Sequence, residues 1–124
     1  MIVENGFNLI RDLAVGRSSK VYSEANANIA IGNSSTAAAS GDTALVSEKA
    51  RLTMESNYPN IATTKRTIFK GTAQSAEANV HWAEFGIFNS AAGGTLMSHT
   101  VSDKGTKASP EVWTLEVRVD MSGA

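Results

Sequence analysis

The chain contains no cysteine. Disulfide bonds and thiolate metal sites are therefore excluded, and the hydrophobic core has to hold the fold without covalent cross-links. A chain of 124 residues can bury roughly two-thirds of its unfolded surface, which is sufficient for one stable domain. We expect a single domain that spans residues 1–124.

An excess of charge of one sign is also missing. The sequence has 11 Lys and Arg residues against 12 Asp and Glu residues, a formal net charge of −1, and both signs are scattered. Proteins that bind nucleic acids usually carry a basic patch or stripe. We therefore expect no nucleic-acid partner.

Long apolar runs are absent as well. No segment approaches the ~20 apolar residues of a membrane span, and the first residues lack the basic and apolar pattern of a secretion signal. We expect neither a membrane partner nor a signal peptide.

One segment has the spacing of a helix. Phe7, Ile10 and Ala14 recur at helical intervals, Asn5 is a suitable N-cap residue, and Gly16 is a suitable residue to end the helix. These features predict a helix over residues 5–15, with an apolar face that includes Phe7.

Beyond residue 27 the apolar residues tend to recur at every second position, which is the period of β-strands. Turn signals rich in Gly, Asn, Ser and Pro separate these segments. Six strands are predicted, at residues 28–32, 50–54, 64–70, 80–88, 95–101 and 113–119. This pattern indicates a mainly β fold: an antiparallel β-sandwich or jelly-roll-like barrel with one short N-terminal helix.

Two of these segments are expected to supply much of the core. In residues 80–88 both alternating sets are largely apolar, so this strand is predicted to be central and covered on both faces. Its two faces are predicted to carry Val80, Trp82 and Phe88, and Ala83, Phe85 and Ile87, respectively. The last strand is predicted to line the core with Trp113, Leu115, Val117 and Val119.

Residues suited to catalysis are few. His81 and His99 are the only histidines, and Glu84 lies three residues after His81. That spacing puts the His81 and Glu84 side chains on opposite faces of a strand, whereas a metal site needs three or four converging ligands. We expect both histidines at strand surfaces or at an interface, with no metal and no cofactor. No Gly-x-Ser-x-Gly elbow or phosphate-binding loop occurs, so we expect a protein that is not an enzyme.

Two segments have no evident place in the core. Residues 1–3 are apolar yet precede the helix, and residues 33–41 are small and lack a large apolar anchor. Ordering such segments costs conformational entropy. Either both are mobile, or a neighbouring subunit or particle surface orders them. On the second interpretation the interface residues are Met1, Ile2, Val3, Asn33, Ser34, Ser35 and Thr36.

Several short phrases follow one another along the chain. They are Ile-Ala-Ile-Gly at residues 29–32, Asp-Thr-Ala-Leu-x-x-Glu-x-x-Arg at 42–51, Ala-Glu-Ala-Asn at 76–79, Glu-Phe-Gly-Ile-Phe-Asn at 84–89, Gly-Gly-Thr-Leu at 93–96 and Trp-Thr-Leu at 113–115. In this order the phrases resemble a family of small β-rich structural domains from virion proteins of tailed bacteriophages. The resemblance extends over residues 5–119, and such domains occur in tail-fibre and tail-associated proteins and as free-standing small virion proteins.

The resemblance implies a non-enzymatic structural role in the virion, after assembly in the host cytoplasm. Because no coiled coil or collagen-like repeat follows the domain, we expect a multicopy capsid decoration or cement protein. Its expected partners are other virion proteins, capsid or tail subunits, and further copies of itself in a homo-oligomer. One alternative is a tail, baseplate or fibre-adaptor protein. Another is a carbohydrate-binding module for host attachment, with Trp82 as its candidate platform.

Overall fold

The computed structural model describes residues 1–121 of the chain. Its elements are α1 (Glu4–Ala14), β1 (Asn28–Gly32), β2 (Glu48–Thr53), β3 (Asn60–Thr63), β4 (Arg66–Ala73), β5 (His81–Phe88), β6 (Leu96–Thr106) and β7 (Trp113–Asp120). The strands form two antiparallel sheets: a first sheet in the order β2-β1-β5-β6 and a second sheet in the order β3-β4-β7. The predicted mainly β fold with one N-terminal helix is confirmed, and the arrangement is sandwich-like.

The strand β5 lies inside the first sheet and pairs antiparallel with both β1 and β6. Every residue of β5 after His81 is buried. One face packs in the main core, which both sheets share, and the other face belongs to a second cluster formed by Val3, Ala30, Leu45, Phe88 and Leu96. The prediction that this strand is central and covered on both faces is confirmed.

A β-bulge changes which side chains of β5 share a face. The register with β6 shifts between Trp82 and Glu84. There the single residue Ala83 of β5 lies opposite residues 102–104 of β6, so regular pairing is interrupted. Trp82 therefore joins Phe85 and Ile87 in the main core, whereas Phe88 lies in the second cluster. The predicted grouping of Trp82 with Phe88 is wrong because strict alternation does not hold across a bulge.

The second sheet supplies the opposite side of the main core. The strands β4 and β7 pair over eight residues, from Arg66 with Asp120 to Ala73 with Trp113. The predicted core face of β7 packs against the main core, where Val119 is buried. The other three side chains on that face are only half-buried: Trp113, Leu115 and Val117. Their partial exposure follows from the position of β7 at the edge of its sheet.

The strand β3 is the one that the sequence pattern missed. All four residues of Asn60–Thr63 are exposed, and they pair with β4 at the edge of the second sheet. A strand without a buried face shows no hydrophobic periodicity, because the alternation arises from burial of one face.

The N-terminal arm, residues 1–3, is paired to the first sheet. The Val3 N–H donates to the Met97 carbonyl at 3.0 Å, and the His99 N–H donates to the Met1 carbonyl at 2.9 Å. Val3 is completely buried. The arm therefore extends the sheet beyond β6 by the pairing that joins two strands.

The helix α1 begins one residue earlier than predicted. Its N-cap residue is Val3, which makes no side-chain cap, and the proposed capping role of Asn5 is wrong. The arm fixes the start of the helix, and the Glu4 N–H donates to the Ser40 carbonyl at 2.8 Å. After the helix, Gly16 adopts a φ of 76°, which glycine tolerates and which commonly ends helices.

The buried face of α1 is centred on Gly6 and Leu9. Phe7 is 52% exposed, so the predicted apolar face that included it is wrong. The pairing of the arm sets the rotation of the helix and brings Gly6 onto the backbone of Met97.

No helix within residues 1–121 is long and apolar enough to span a membrane.

The substitution Gly6→Ala tests this close approach. A Cβ at residue 6 would overlap the Met97 carbonyl oxygen and lie 2.9 Å from its Cα, and backbone atoms cannot rotate aside. Alanine stabilises a helix interior by about 1 kcal/mol relative to glycine, but overpacking costs typically 1–3 kcal/mol. We expect a net loss of stability in chemical denaturation, whereas Asn8→Ala on the exposed side of α1 should leave stability unchanged or raise it. An increase with Gly6→Ala would contradict the packing described.

Candidate functional site

The candidate site is a cluster of three ionisable side chains, Asp42, Glu84 and His99, on the outer face of the first sheet. We refer to it as the carboxylate–histidine cluster. The His99 Nδ1 atom lies 2.7 Å from Asp42 Oδ2, and its Nε2 atom lies 2.9 Å from Glu84 Oε1. The side chains of Glu84 and His99 are completely buried, and that of Asp42 is 24% exposed. The expectation that His99 lies at a surface or interface is wrong within this chain.

Backbone groups complete the cluster. The N–H groups of Val46 and Ser47 donate to Oε1 and Oε2 of Glu84 at 2.9 and 2.7 Å, and the Ser34 N–H donates to Oε2 at 3.4 Å. The Ala39 N–H donates to Asp42 Oδ2 at 2.8 Å. Residues 33–47, which we call the 33–47 loop, are therefore held to the sheet at both ends by one buried carboxylate.

The hydrogen bonds define the charge of the cluster. A carboxylate oxygen only accepts hydrogen bonds, so each nitrogen of His99 must donate one. If both carboxyl groups are ionised, His99 donates from both ring nitrogens as an imidazolium, and the cluster then carries a net charge of −1. Hydrogen bonds between ionised groups are short and about twice as strong as neutral ones. Buried ions of opposite charge in this arrangement compensate one another's loss of hydration.

The acid–base properties of Asp42 follow from these contacts. The backbone N–H of Ala39 and the ring of His99 both donate to the carboxylate and hold the pKa of Asp42 below its ordinary value of 3.8. Because the folded-state pKa is lower than the unfolded one, the unfolded chain binds the proton more readily. The stabilisation by Asp42 is therefore present above about pH 4 and is lost as the pH falls through the folded-state pKa.

The variant Asp42→Asn tests this linkage. At neutral pH it should be less stable than the unmodified protein, and the difference in melting temperature should shrink as the pH falls below about 4, where the native carboxylate is itself protonated. The control Asp12→Asn removes a partly exposed carboxylate that pairs with the adjacent Arg11. A difference for Asp42→Asn that stays constant down to acid pH would contradict the role assigned to Asp42.

Two glycines of the resembling phrases lie where any side chain would clash with residues on the outer face of the first sheet. A Cβ at Gly32 would overlap the carboxylate of Glu84. A Cβ at Gly86 would lie 2.5 Å from Leu45 and 2.7 Å from Leu96. The phrases at residues 29–32, 42–51, 84–89 and 93–96 therefore meet at one place in the fold.

A second polar contact joins the phrases at Arg51. Its guanidinium group pairs with Glu48, with Nε 2.7 Å from Oε2, and donates to the carbonyl oxygens of Ser90 and Gly93 at 2.8 Å. The same group lies 3.8 Å from the centre of the Phe88 ring. Arg51 thus fixes the turn between β5 and β6 to β2.

A third contact involves Lys107, which is only 1% exposed. Its Nζ donates to the Gln74 carbonyl and to Asn79 Oδ1, both at 2.7 Å. Asn79 is the last residue of the Ala-Glu-Ala-Asn phrase, and its side chain also bonds the Ser75 carbonyl at 3.2 Å. Lys107 therefore fixes the turn between β4 and β5.

The two histidines do not act together. A bulge interrupts β5 between Trp82 and Glu84, yet His81 contacts Thr106 at 3.0 Å and Asp103 at 3.1 Å, while Glu84 contacts His99. No group of three or more His, Cys, Asp or Glu side chains within residues 1–121 is placed to hold a metal ion.

The cluster has residue types that occur in catalytic triads, but its nitrogen and oxygen atoms are not accessible to a substrate. General acid–base catalysis requires a nitrogen or oxygen within hydrogen-bond reach of a substrate. Both nitrogens of His99 are hydrogen-bonded to carboxylates, and both oxygens of Glu84 accept hydrogen bonds from backbone N–H groups. In this arrangement the cluster joins the 33–47 loop to β5 and β6.

The structure places the predicted interface residues in two different environments. Met1 is 58% exposed and Ile2 is half-buried, but Val3 is completely buried and offers no contact surface. Asn33, Ser35 and Thr36 are exposed, and Ser34 is half-buried. The assumption that the arm lacks a partner within the chain is wrong. An interface at the exposed residues stays a prediction.

The candidate carbohydrate platform is not at the surface. Trp82 is 2% exposed, and its indole N–H donates to the Ala78 carbonyl at 2.9 Å. Its ring packs edge-on against Trp113, with ring centres 5.0 Å apart. The assignment of Trp82 as a sugar-binding platform is wrong because a stacking platform needs an accessible ring face.

Comparisons with protein-family models, with curated protein sequences and with solved structures gave no match.

Proposed function

We propose that the protein is a non-enzymatic structural component of a tailed-bacteriophage virion, and specifically a capsid decoration or cement protein present in many copies. The proposal starts from the ordered phrases and their resemblance to virion domains. In this function the protein binds capsid subunits and has no substrate and no cofactor.

One observation carries the proposal. The polar residues of the phrases, among them Asp42, Glu84, Arg51 and Asn79, use their side chains to fix loops and turns to the two sheets. They form internal contacts where a catalytic motif would present reactive groups to a cleft. The use of these side chains to hold the fold together supports a structural function.

Multivalency explains how such a domain can bind strongly. A small contact surface gives weak binding for one copy, but many copies on a regular lattice bind firmly together, provided that neighbouring copies also contact one another. The exposed part of the 33–47 loop, with Asn33, Ser35 and Thr36, is the proposed contact with the particle.

Copy number in purified particles tests the proposal. Quantitative mass spectrometry against the major capsid protein should find hundreds of copies per particle. A few copies per particle would favour the tail, baseplate or fibre-adaptor alternative over decoration. Absence from particles would overturn both assignments.

The contact surface can be tested with the same particles. Replacing Ser35 and Thr36 together by glutamate should reduce occupancy on decorated particles, because two charges are added to the proposed contact. The variant Glu77→Gln changes a charge in the turn between β4 and β5 and is the control. Unchanged occupancy of the loop variant would exclude the 33–47 loop as the contact.

A further inference from the structure

The strand β7 has one edge without a partner. It is the last strand of the second sheet and pairs only with β4 among residues 1–121. Eight residues, Trp113–Asp120, run without a proline, and their pairing with β4 has no register shift. Proteins usually protect such edges with bulges, short strands, prolines, charged side chains or covering segments, because a free edge pairs readily with another strand. Of these devices β7 has only charged side chains, and they are of both signs.

The apolar face of β7 is incompletely covered. Leu115 and Val117 point towards the core but are only half-buried. They line a cleft of about 240 Å³ between β6 and β7, next to Phe85 and Thr100. An added strand would cover these side chains.

We propose that β7 pairs antiparallel with β7 of a second copy, about a two-fold axis at Val117. The two second sheets would then form one six-stranded sheet across the dimer. A two-fold axis makes the contact isologous, so the same residues contribute from both copies. The dimer contact uses β7 alone and is separate from the proposed contact with the particle.

Charge complementarity selects both the partner and the register. With Val117 opposite its own copy, Glu116 lies opposite Arg118 of the other copy, and Arg118 lies opposite Glu116. Both side chains are well exposed in the single chain, 40% and 60% respectively, and their contact within one chain is long, at 3.8 Å. Opposite charges facing each other across a strand pair are stabilising, and like charges are destabilising.

Neighbouring registers are less favourable. If the second β7 were shifted by one residue, its apolar side chains would turn from the core face to the solvent face. Because one face of β7 packs on the core, this register is unfavourable. Centring the axis on Glu116 or on Arg118 would place two like charges directly opposite each other. In the register centred on Val117, Leu115 of one copy also lies opposite Val119 of the other copy on the inner face.

The other sheet edges are less suited to a symmetric pair. The outer edge of β6 is partly occupied by the arm. Pairing of β2 with β1 is interrupted by a register shift. The strand β3 has only four residues.

Charge reversal provides the main test, read by analytical ultracentrifugation. Glu116→Arg alone and Arg118→Glu alone should each weaken the dimer by about tenfold or more, because two attractive cross-strand pairs become repulsive. The double variant should regain the affinity of the unmodified protein. A mixture of the two single variants should form a heterodimer, since two positive positions then face two negative ones.

Cysteine cross-linking tests the register independently. The chain has no cysteine of its own, and Val117→Cys places each thiol opposite its copy at a separation that a disulfide can span. Thr114→Cys is the matched control on the same strand, because its two copies would be about 20 Å apart along the pair. Circular dichroism establishes that each variant is folded.

The expected result is a dimer that single charge reversal disrupts, that double reversal restores and that Val117→Cys locks. A monomer at the highest soluble concentration would overturn the proposal. So would single-reversal variants that dimerise normally, or cross-linking through Thr114→Cys but not through Val117→Cys.

Discussion

Replacing Glu84 by glutamine should lower the free energy of unfolding by about 3–5 kcal/mol, the usual cost of breaking a buried ion pair. The amide supplies one acceptor oxygen where Glu84 supplies two. Its NH₂ group would face backbone N–H donors of the 33–47 loop. The imidazolium of His99 would also lose a buried counter-charge. Equilibrium unfolding in guanidinium chloride measures the loss.

The matched control is Glu4→Gln, the same chemical change at an exposed position in the first turn of α1. It removes only a favourable interaction with the helix dipole, which is worth about 0.3–1 kcal/mol. Limited proteolysis of Glu84→Gln should also show early cleavage within the 33–47 loop. A loss for Glu84→Gln no larger than that for Glu4→Gln would show that the cluster does not hold the fold.

Replacing Trp82 by alanine should cost about 3–5 kcal/mol, the range for truncating a large buried aromatic side chain. The substitution leaves a cavity in the main core and leaves the Ala78 carbonyl without its indole donor. It also removes two edge-on aromatic contacts, with Phe85 and with Trp113. Unfolding followed by circular dichroism avoids dependence on tryptophan fluorescence.

Trp113→Ala should cost less than Trp82→Ala, because Trp113 is half-buried and its cavity opens towards solvent. Val112→Ala, at a side chain that is 54% exposed, is the surface control and should remain within about 0.5 kcal/mol. If Trp113→Ala proved the more costly of the two tryptophan variants, the assignment of Trp82 to the centre of the core would be wrong.

The strands were predictable wherever burial leaves a pattern. The alternation in Asn-Ile-Ala-Ile-Gly predicted β1 at residues 28–32, which is its observed extent. The one-sided alternation of residues 113–119 similarly predicted β7, which extends one residue further, to Asp120. The exposed β3 left no pattern, and the bulge near Ala83 moved Trp82 to a face that strict alternation did not assign to it. A bulge depends on pairing with a neighbouring strand, which local sequence does not reveal.

The carboxylate–histidine cluster could not be predicted for a related reason. Asp42 and His99 are 57 residues apart, and Glu84 and His99 are 15 apart. They meet because β5 and β6 pair with Gly86 opposite His99, and because the 33–47 loop returns over that face. His81 is the near neighbour of Glu84 along the chain, whereas the histidine that contacts Glu84 is His99, on the adjacent strand β6.

The fixed ends of the 33–47 loop make its middle a site for peptide display. Residues 35–37 are exposed, while bonds from Ser34, Val46 and Ser47 to Glu84 hold both ends of the loop. Lengthening a flexible loop is inexpensive, since each doubling adds only about 0.6 kcal/mol of closure entropy. A foreign epitope inserted after Ala37 would therefore project from the sheet without disturbing the core. The chain then becomes a small, cysteine-free carrier for antigens.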